Sequence, residues 1–215
     1  TSRRALDRYA ASPGRGSPGR RSSPRRGSCT VRRRIQQGTW GLLGQGLLGS
    51  IPVGDRVIGV SRGLTTGVVN DSLELVQTDV TDQDAIDRIF DRYEIDVVIH
   101  AAGEGSVDVV EKDPILGRLS IVQSAENLAT ISKKHNAQVI YISTNAVFSG
   151  NESPYAEASE TRPLNLYGQL KKEAEIVFLE SDDQCSVVRP ILMYGWPLQG
   201  QRTNPVAFTI SQLRA

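Results

Sequence analysis

Histidine is scarce in this chain. Only His100 and His135 occur among 215 residues, the first ending an apolar run and the second near the expected end of a helix. With two histidines so placed and no clustered thiols, no metal site is expected. Cysteine is equally rare. Cys29 lies in an arginine-rich stretch and Cys185 in an apolar segment, with no CxxC pair. Such usage suits a reduced, intracellular protein, and a cytoplasmic location is the expectation. No apolar run approaches the length needed to cross a bilayer, so no membrane partner is expected. Hydrophobic residues are 39% of the chain, a little low for a globular protein, and the shortfall is local.

Acidic residues are what the first part lacks. Residues 1–34 hold eleven arginines against one acid, Asp7, a charge of +10, so the overall +1 leaves −9 on the other 181 residues. A short unit repeats: Ser12-Pro13-Gly14-Arg15, Ser17-Pro18-Gly19-Arg20, Ser23-Pro24-Arg25-Arg26. With little to bury and strong self-repulsion, residues 1–34 are expected to form a disordered tail. Three readings stand for it: binding of nucleic acid or an acidic surface, organelle targeting, or an extension without function at a start that lacks Met. No function is assigned to it, and nucleic acid is not taken as a partner.

Residues 35–215 alternate. Strands are expected over 55–61, 73–80, 96–100, 137–142 and 185–188. Helices are expected over 82–93, with Ala85, Ile86, Ile89 and Phe90 on one face, and over 114–135, 165–180 and onward from Pro205. Apolar strands separated by helices call for a parallel sheet covered on both faces, an α/β, Rossmann-type doubly wound architecture.

Two glycine patterns overlap between the first strand and the first helix. Gly44-x-Gly46-x-x-Gly49 matches a dinucleotide fingerprint, but Pro52 and Gly54 follow at once and leave no room for its helix. Gly38-x-x-Gly41-x-x-Gly44 leaves Leu42 to Ser50 for a short helix whose free N–H groups can face a pyrophosphate. The candidate phosphate turn is therefore Gly38, Thr39, Gly41, Leu42, Leu43 and Gly44. Trp40, inside it, is read as packing, with a place flanking the cofactor as the alternative. The preceding Val31 to Gln37 carries three arginines, which a central strand has no solvent to accommodate. Either the first strand is only about 35–37, or this end of the chain is foreign to the fold.

Ser61 and Arg62 end the second expected strand, where an acid would hold the ribose of NAD and an arginine can pair with the 2′-phosphate of NADP. Asp79 and Val80 follow the third strand, where an adenine would be bordered; Asp79 can equally serve as a turn or cap residue. Ala101, Ala102 and Gly103 end the fourth. Tyr167 and Lys171 stand four apart on one helix face, and Ser143-Thr144 ends the fifth strand. A phenol of pKa ~10 needs an adjacent ammonium to exchange a proton near neutrality. Thr144 can hold the oxygen on which Tyr167 acts.

Ser143-Thr144-Asn145-Ala146-Val147-Phe148, Pro154-Tyr155-x-Glu157, Pro163 to Gly168 and Arg189-Pro190 to Gly195 resemble the extended short-chain dehydrogenase/reductases. Within them the chain is most similar, over about residues 38–214, to the dTDP-4-dehydrorhamnose reductase branch. The resemblance implies hydride transfer from NADPH, with NADH as a lesser alternative, to the keto group of a nucleotide-linked sugar. It implies Tyr167 as proton donor, Lys171 on the nicotinamide ribose, and Thr144 orienting the carbonyl. Glu157 and Arg189 could touch a sugar or pack and pair, and the structural role is the one taken. A homodimer is compatible with it. The chain departs from the branch at Asn145-Ala146, where Asp-Tyr is usual, and near Ser120 and Ile121, where an asparagine is usual. The substrate lobe implied by the resemblance is only begun by Ala215, so weak cofactor binding and little turnover are expected. An epimerase or dehydratase of the same superfamily and a non-catalytic NADP-binding regulator are the alternative readings.

Overall fold

A computed structural model describes residues 33–37, 42–63, 71–181, 184–191, 193–195 and 204–213. Six strands form one parallel sheet: β1 (Arg33–Gln37), β2 (Arg56–Ser61), β3 (Leu73–Gln77), β4 (Val97–His100), β5 (Gln138–Ile142) and β6 (Cys185–Val188), in the spatial order β3-β2-β1-β4-β5-β6. The order reverses between β1 and β4, and a crevice for ligands opens there, beyond the carboxyl ends of the strands. The described helices are α1 (Leu42–Leu48), α2 (Gln83–Tyr93), α3 (Val107–Lys112), α4 (Pro114–Arg118), α5 (Ser124–His135), α6 (Leu166–Ser181) and α7 (Pro205–Leu213). None is long and apolar enough to cross a membrane.

The expected doubly wound α/β sheet is present, and its first strand is longer than the arginines suggest. Arg33 pairs with Arg56, and Arg34 with Val57 on one side and Val97 on the other, so β1 begins two residues inside the stretch read as tail. Hydrogen bonds to two neighbouring strands outweigh the poor strand character of these residues. Arg33 also stands opposite Arg56, whose side chain is half exposed at the amino edge of the sheet. The remainder of the basic segment, residues 1–32, falls outside the described residues.

The core is built from the apolar strands and three helices. Ile58, Val60, Val98 and Val139 of the sheet pack with Ile86, Ile89 and Phe90 of α2, Leu128 and Ile131 of α5, and Leu170 and Phe178 of α6. Asp82 caps α2 by accepting from the Ala85 N–H at 2.9 Å. Lys133, Lys134 and His135 occupy the last turn of α5, where positive charge suits the helix dipole.

The helix expected over 114–135 is one continuous right-handed run with a widened π turn at Leu119–Gln123. Asp113 and Pro114 start it, Asp113 Oδ1 accepting from the Leu116 N–H at 3.0 Å. At the widened turn the Ser124 hydroxyl donates to the Ser120 carbonyl at 2.7 Å. π turns gather at functional sites, and this one carries Ser120 into the crevice.

Candidate active site

The carboxyl ends of β2, β3 and β4 and the start of the π turn enclose a cleft of about 500 Å³. Ser61, Arg62, Asp79, Val80, Ala101, Ala102 and Gly103 all line it, so residues chosen from three separate strand ends meet in one place. Gly103 has φ +121°, and a Cβ there would stand 3.0 Å from the Ser120 carbonyl oxygen. Only glycine lets the loop after β4 pass so close to the helix.

Arg62 and Asp79 face each other across the cleft mouth at 3.9 Å, both well exposed. An exposed pair at that distance is worth little, and it can give way to a doubly charged phosphate. Asp79 also closes its own turn, accepting from the Thr81 N–H at 2.9 Å and the Thr81 hydroxyl at 2.8 Å. Its alternative reading as a turn residue therefore holds; the helix cap is Asp82.

β1 ends at Gln37 and α1 starts at Leu42, the spacing that the pattern Gly38-x-x-Gly41-x-x-Gly44 requires. Gly38, Thr39 and Gly41, with Trp40, lie outside the described residues. Gly44 is buried within α1, beside half-buried Leu43. Gly46, of the rival pattern, is exposed on α1 with nothing within 4 Å of its Cβ position.

At the carboxyl end of β5 the chain enters a short 3₁₀ turn, Asn145–Val147, capped by Thr144, which accepts from the Ala146 N–H at 3.1 Å. The first turn of α6 packs on it. Asn165 Oδ1 accepts from the Gly168 N–H at 2.8 Å, and Glu111 Oε1 accepts from the Leu166 N–H at 2.7 Å. These anchors bring Tyr167 to Thr144, whose side chain hydrogen-bonds it. Thr144 and Tyr167 thus meet, and Lys171 stands one turn further along the same face of α6, with its ammonium on the Ile142 carbonyl.

The electrostatics differ from the expectation. Burial pushes the Tyr167 phenol above its ordinary value, the Thr144 hydrogen bond draws it down, and the Glu104 carboxylate adds to the rise. Lys171 does not lower it. Its ammonium is buried, donates to the Ile142 carbonyl at 2.8 Å and lies 4.4 Å from the centre of the Tyr141 ring. Burial brings Lys171 down to about 7, opposed by the charge of Glu175. The pair is a neutral phenol beside an amine poised near neutrality.

Two participants, Glu104 and Glu175, were not singled out from the sequence, and a third, Ser120, was noted only as a departure from the related branch. Glu104 follows the Gly103 loop, Ser120 rides on the π turn, and Glu175 is buried one turn beyond Lys171. The spacing of Tyr167, Lys171 and Glu175, four residues each, was the available signal. Glu175 accepts from the Ser143 hydroxyl and from Nε and Nη2 of Arg189, at 2.9 and 2.7 Å, which bears out the reading of Arg189 as a pairing residue. Glu157 meets Arg189 through its backbone carbonyl, at 3.2 Å.

His100 lies beneath this site, buried between Tyr141 and Phe178 with ring centroids at 5.6 and 5.9 Å. Burial, then the Lys171 charge, holds it down to about 3. Folded His100 is thus neutral where the unfolded chain, with an ordinary value of 6.5, takes up a proton. Its share of stability is complete above pH 6.5 and is lost as pH falls toward 3, at about 1.4 kcal/mol per pH unit. His100→Phe is expected to lose less stability than the parent between pH 6.5 and 4 in urea unfolding. Equal losses in both proteins would refute it.

Away from the crevice, Asp87, Asp91 and His135 bring ligand atoms within 4.8 Å of one another. Asp87 is already engaged by Lys134 at 2.7 Å and His135 at 2.9 Å, and these bonds hold its carboxyl below the usual range. The cluster serves as an ion pair joining α2 to α5. It was not visible in the sequence, because its members stand on two helices.

Comparison with known proteins places these features in context. Residues 33–213 match the sequence model described as the RmlD substrate binding domain. Methionine adenosyltransferase 2 subunit beta of Xenopus laevis is 38% identical over 114 residues, 53% of this chain and 34% of that protein. The dTDP-4-dehydrorhamnose reductase of Aggregatibacter actinomycetemcomitans is 30% identical over 125 residues, 58% of this chain and 42% of that protein. The crystal structure of a dTDP-4-dehydrorhamnose reductase from Bacillus anthracis, in complex with NADP, superposes with a TM-score of 0.73 at 24% identity, over 87% of this chain and 62% of that one. At that identity the likeness establishes the fold. The chain spans well under half the length of these curated relatives.

Proposed function

The chain belongs to the RmlD substrate binding domain family, and from that premise we propose that it is the dinucleotide-binding part of an NADPH-dependent reductase acting on a 4-keto nucleotide sugar. The carrying observation is the meeting of Thr144 at the carboxyl edge of β5 with Tyr167 on α6, with Lys171 one turn beyond on the same helix face, beside a cleft with Arg62 at its mouth. The cleft suits the adenosine half of the cofactor: it has room, apolar Val60 and Val80 along its wall, and a cation where the 2′-phosphate would lie. When bound, the dinucleotide supplies the hydride.

The chain's own groups do the rest. Thr144 orients the keto oxygen, and Tyr167 gives it a proton as the carbonyl carbon is reduced to an alcohol. Burial keeps Tyr167 protonated, the form a donor needs. Lys171 holds the nicotinamide ribose and, with its amine near neutrality, returns a proton toward Tyr167.

Fluorescence titration with NADPH and with NADH tests this reading. NADPH is expected to bind more tightly, and Arg62→Ala is expected to weaken NADPH about ten- to a hundredfold, the worth of a charge-assisted hydrogen bond, with NADH little changed. No binding of either dinucleotide by the folded chain would remove the reductase reading.

The likeness to methionine adenosyltransferase 2 subunit beta favours a second reading: a member that binds NADP and regulates a partner enzyme. In that case NADPH binds, nucleotide sugars are not reduced by a chain extended to the length of its relatives, and the protein co-purifies with a methionine adenosyltransferase.

A further inference from the structure

Resting on the reductase reading of this site, we propose that Glu175 is a positioning residue for Tyr167 and Lys171, acting through Ser143 on the Thr144 turn and through its charge on Lys171, with Arg189 holding it in place. Tyr167, Lys171 and Glu175 follow one another at successive turns on one face of α6. Glu175 is 2% exposed, and a carboxylate so buried must be fully partnered. Its Oε1 takes the Ser143 hydroxyl and Arg189 Nε, and its Oε2 takes Arg189 Nη2 at 2.7 Å. Arg189 is itself oriented, donating to the Glu157 carbonyl at 3.2 Å and lying 5.2 Å over the Phe148 ring.

Stability does not account for this arrangement, because well-packed apolar residues often replace a buried ion pair without loss. Its two connections do. Ser143 is tied to β6 through its N–H on the Val188 carbonyl at 2.7 Å, and the next residue is Thr144, which hydrogen-bonds Tyr167. Glu175 thereby fixes the strand end from which Thr144 reaches Tyr167. Its charge also favours the Lys171 ammonium against burial. The groups acting on Lys171 are Glu175 of α6, the Tyr141 ring and Ile142 carbonyl of β5, and His100 of β4, with Tyr167 one turn away on the same helix face. Glu175 is the negative charge among them.

The chain has five lysines, so ¹³C-labelled lysine side chains give a spectrum simple enough to follow Lys171 through a pH titration. In the parent the Lys171 midpoint is expected near 7. In Glu175→Gln, which keeps the shape, it falls below 7 while Lys112 and Lys172 stay where they were, and NADPH affinity drops severalfold. Glu175→Gln combined with Arg189→Met, which leaves no unpaired buried charge, gives the same fall and covers the case in which the single variant fails to fold. A Lys171 midpoint equal to the parent's in either folded variant overturns the proposal. Failure of the parent to bind NADPH would remove the reductase reading, while the Lys171 midpoint still decides whether Glu175 acts on the lysine.

Discussion

Arg189→Met is expected to destabilise the chain by about 3–5 kcal/mol, the cost of leaving a buried charge without its partner. Arg189 contributes two hydrogen bonds to Glu175, which keeps only the Ser143 hydroxyl when they are gone. Methionine fills much of the same volume, so lost packing over the Phe148 ring is a small part of the effect. Urea unfolding at pH 7, followed by tryptophan fluorescence, measures the loss. Adding Glu175→Gln to the same chain should recover most of it, since the stranded charge is then gone. A single variant within about 1 kcal/mol of the parent would mean that solvent reaches Glu175 and that the pair is not buried in the sense required here.

Gly168→Ala is the second large effect, and it acts on the site directly. A Cβ at Gly168 would collide with the Ala146 carbonyl oxygen and stand 2.9 Å from Pro163 Cβ. The carbonyl cannot retreat at low cost. Its turn is pinned by the Ala146 N–H on Thr144 Oγ1 at 3.1 Å and the Asn145 N–H on the Pro190 carbonyl at 3.1 Å. The start of α6 must move instead, carrying Tyr167 away from Thr144. Overpacking of this kind costs about 1–3 kcal/mol, and a crystal structure of the variant should show the Thr144–Tyr167 hydrogen bond broken. Gly46→Ala is the matching control: exposed on α1, its Cβ meets nothing within 4 Å, so it should gain about 0.5–1 kcal/mol from helix propensity. If Gly168→Ala were as stable as the parent with that hydrogen bond intact, the close packing of α6 on the 3₁₀ turn would not be what sets Tyr167.

Several elements were readable from local pattern because their cause is local. Val97 to His100 and Gln138 to Ile142 are apolar runs of strand length, and Ile86, Ile89 and Phe90 recur at helical spacing before they are seen to be buried. The four-residue step from Tyr167 to Lys171 puts both on one face of any helix that contains them. Residues at strand ends, from Ser61 to Gly103, could be assigned to one crevice because a parallel sheet places all its carboxyl ends on one edge. The π turn was not readable, since Leu119 to Gln123 has the composition of ordinary helix and widens where Ser120 and Gly103 meet across the chain.

By itself, then, the sequence determined the alternation of strands and helices, the glycine spacing between β1 and α1, and the chemical identity of Thr144, Tyr167 and Lys171, all of which follow from short-range periodicity and steric preference. The tertiary structure alone decided that Arg33 and Arg34 belong to a central strand, because only pairing with β2 and β4 supplies the hydrogen bonds that favour it. It alone decided the protonation character of the site. Burial raises Tyr167 and brings Lys171 to about 7, and burial is a sum over residues distant in the chain. It alone joined Glu175 to Ser143 and Arg189, since a buried charge takes whichever partners the packed elements bring to it.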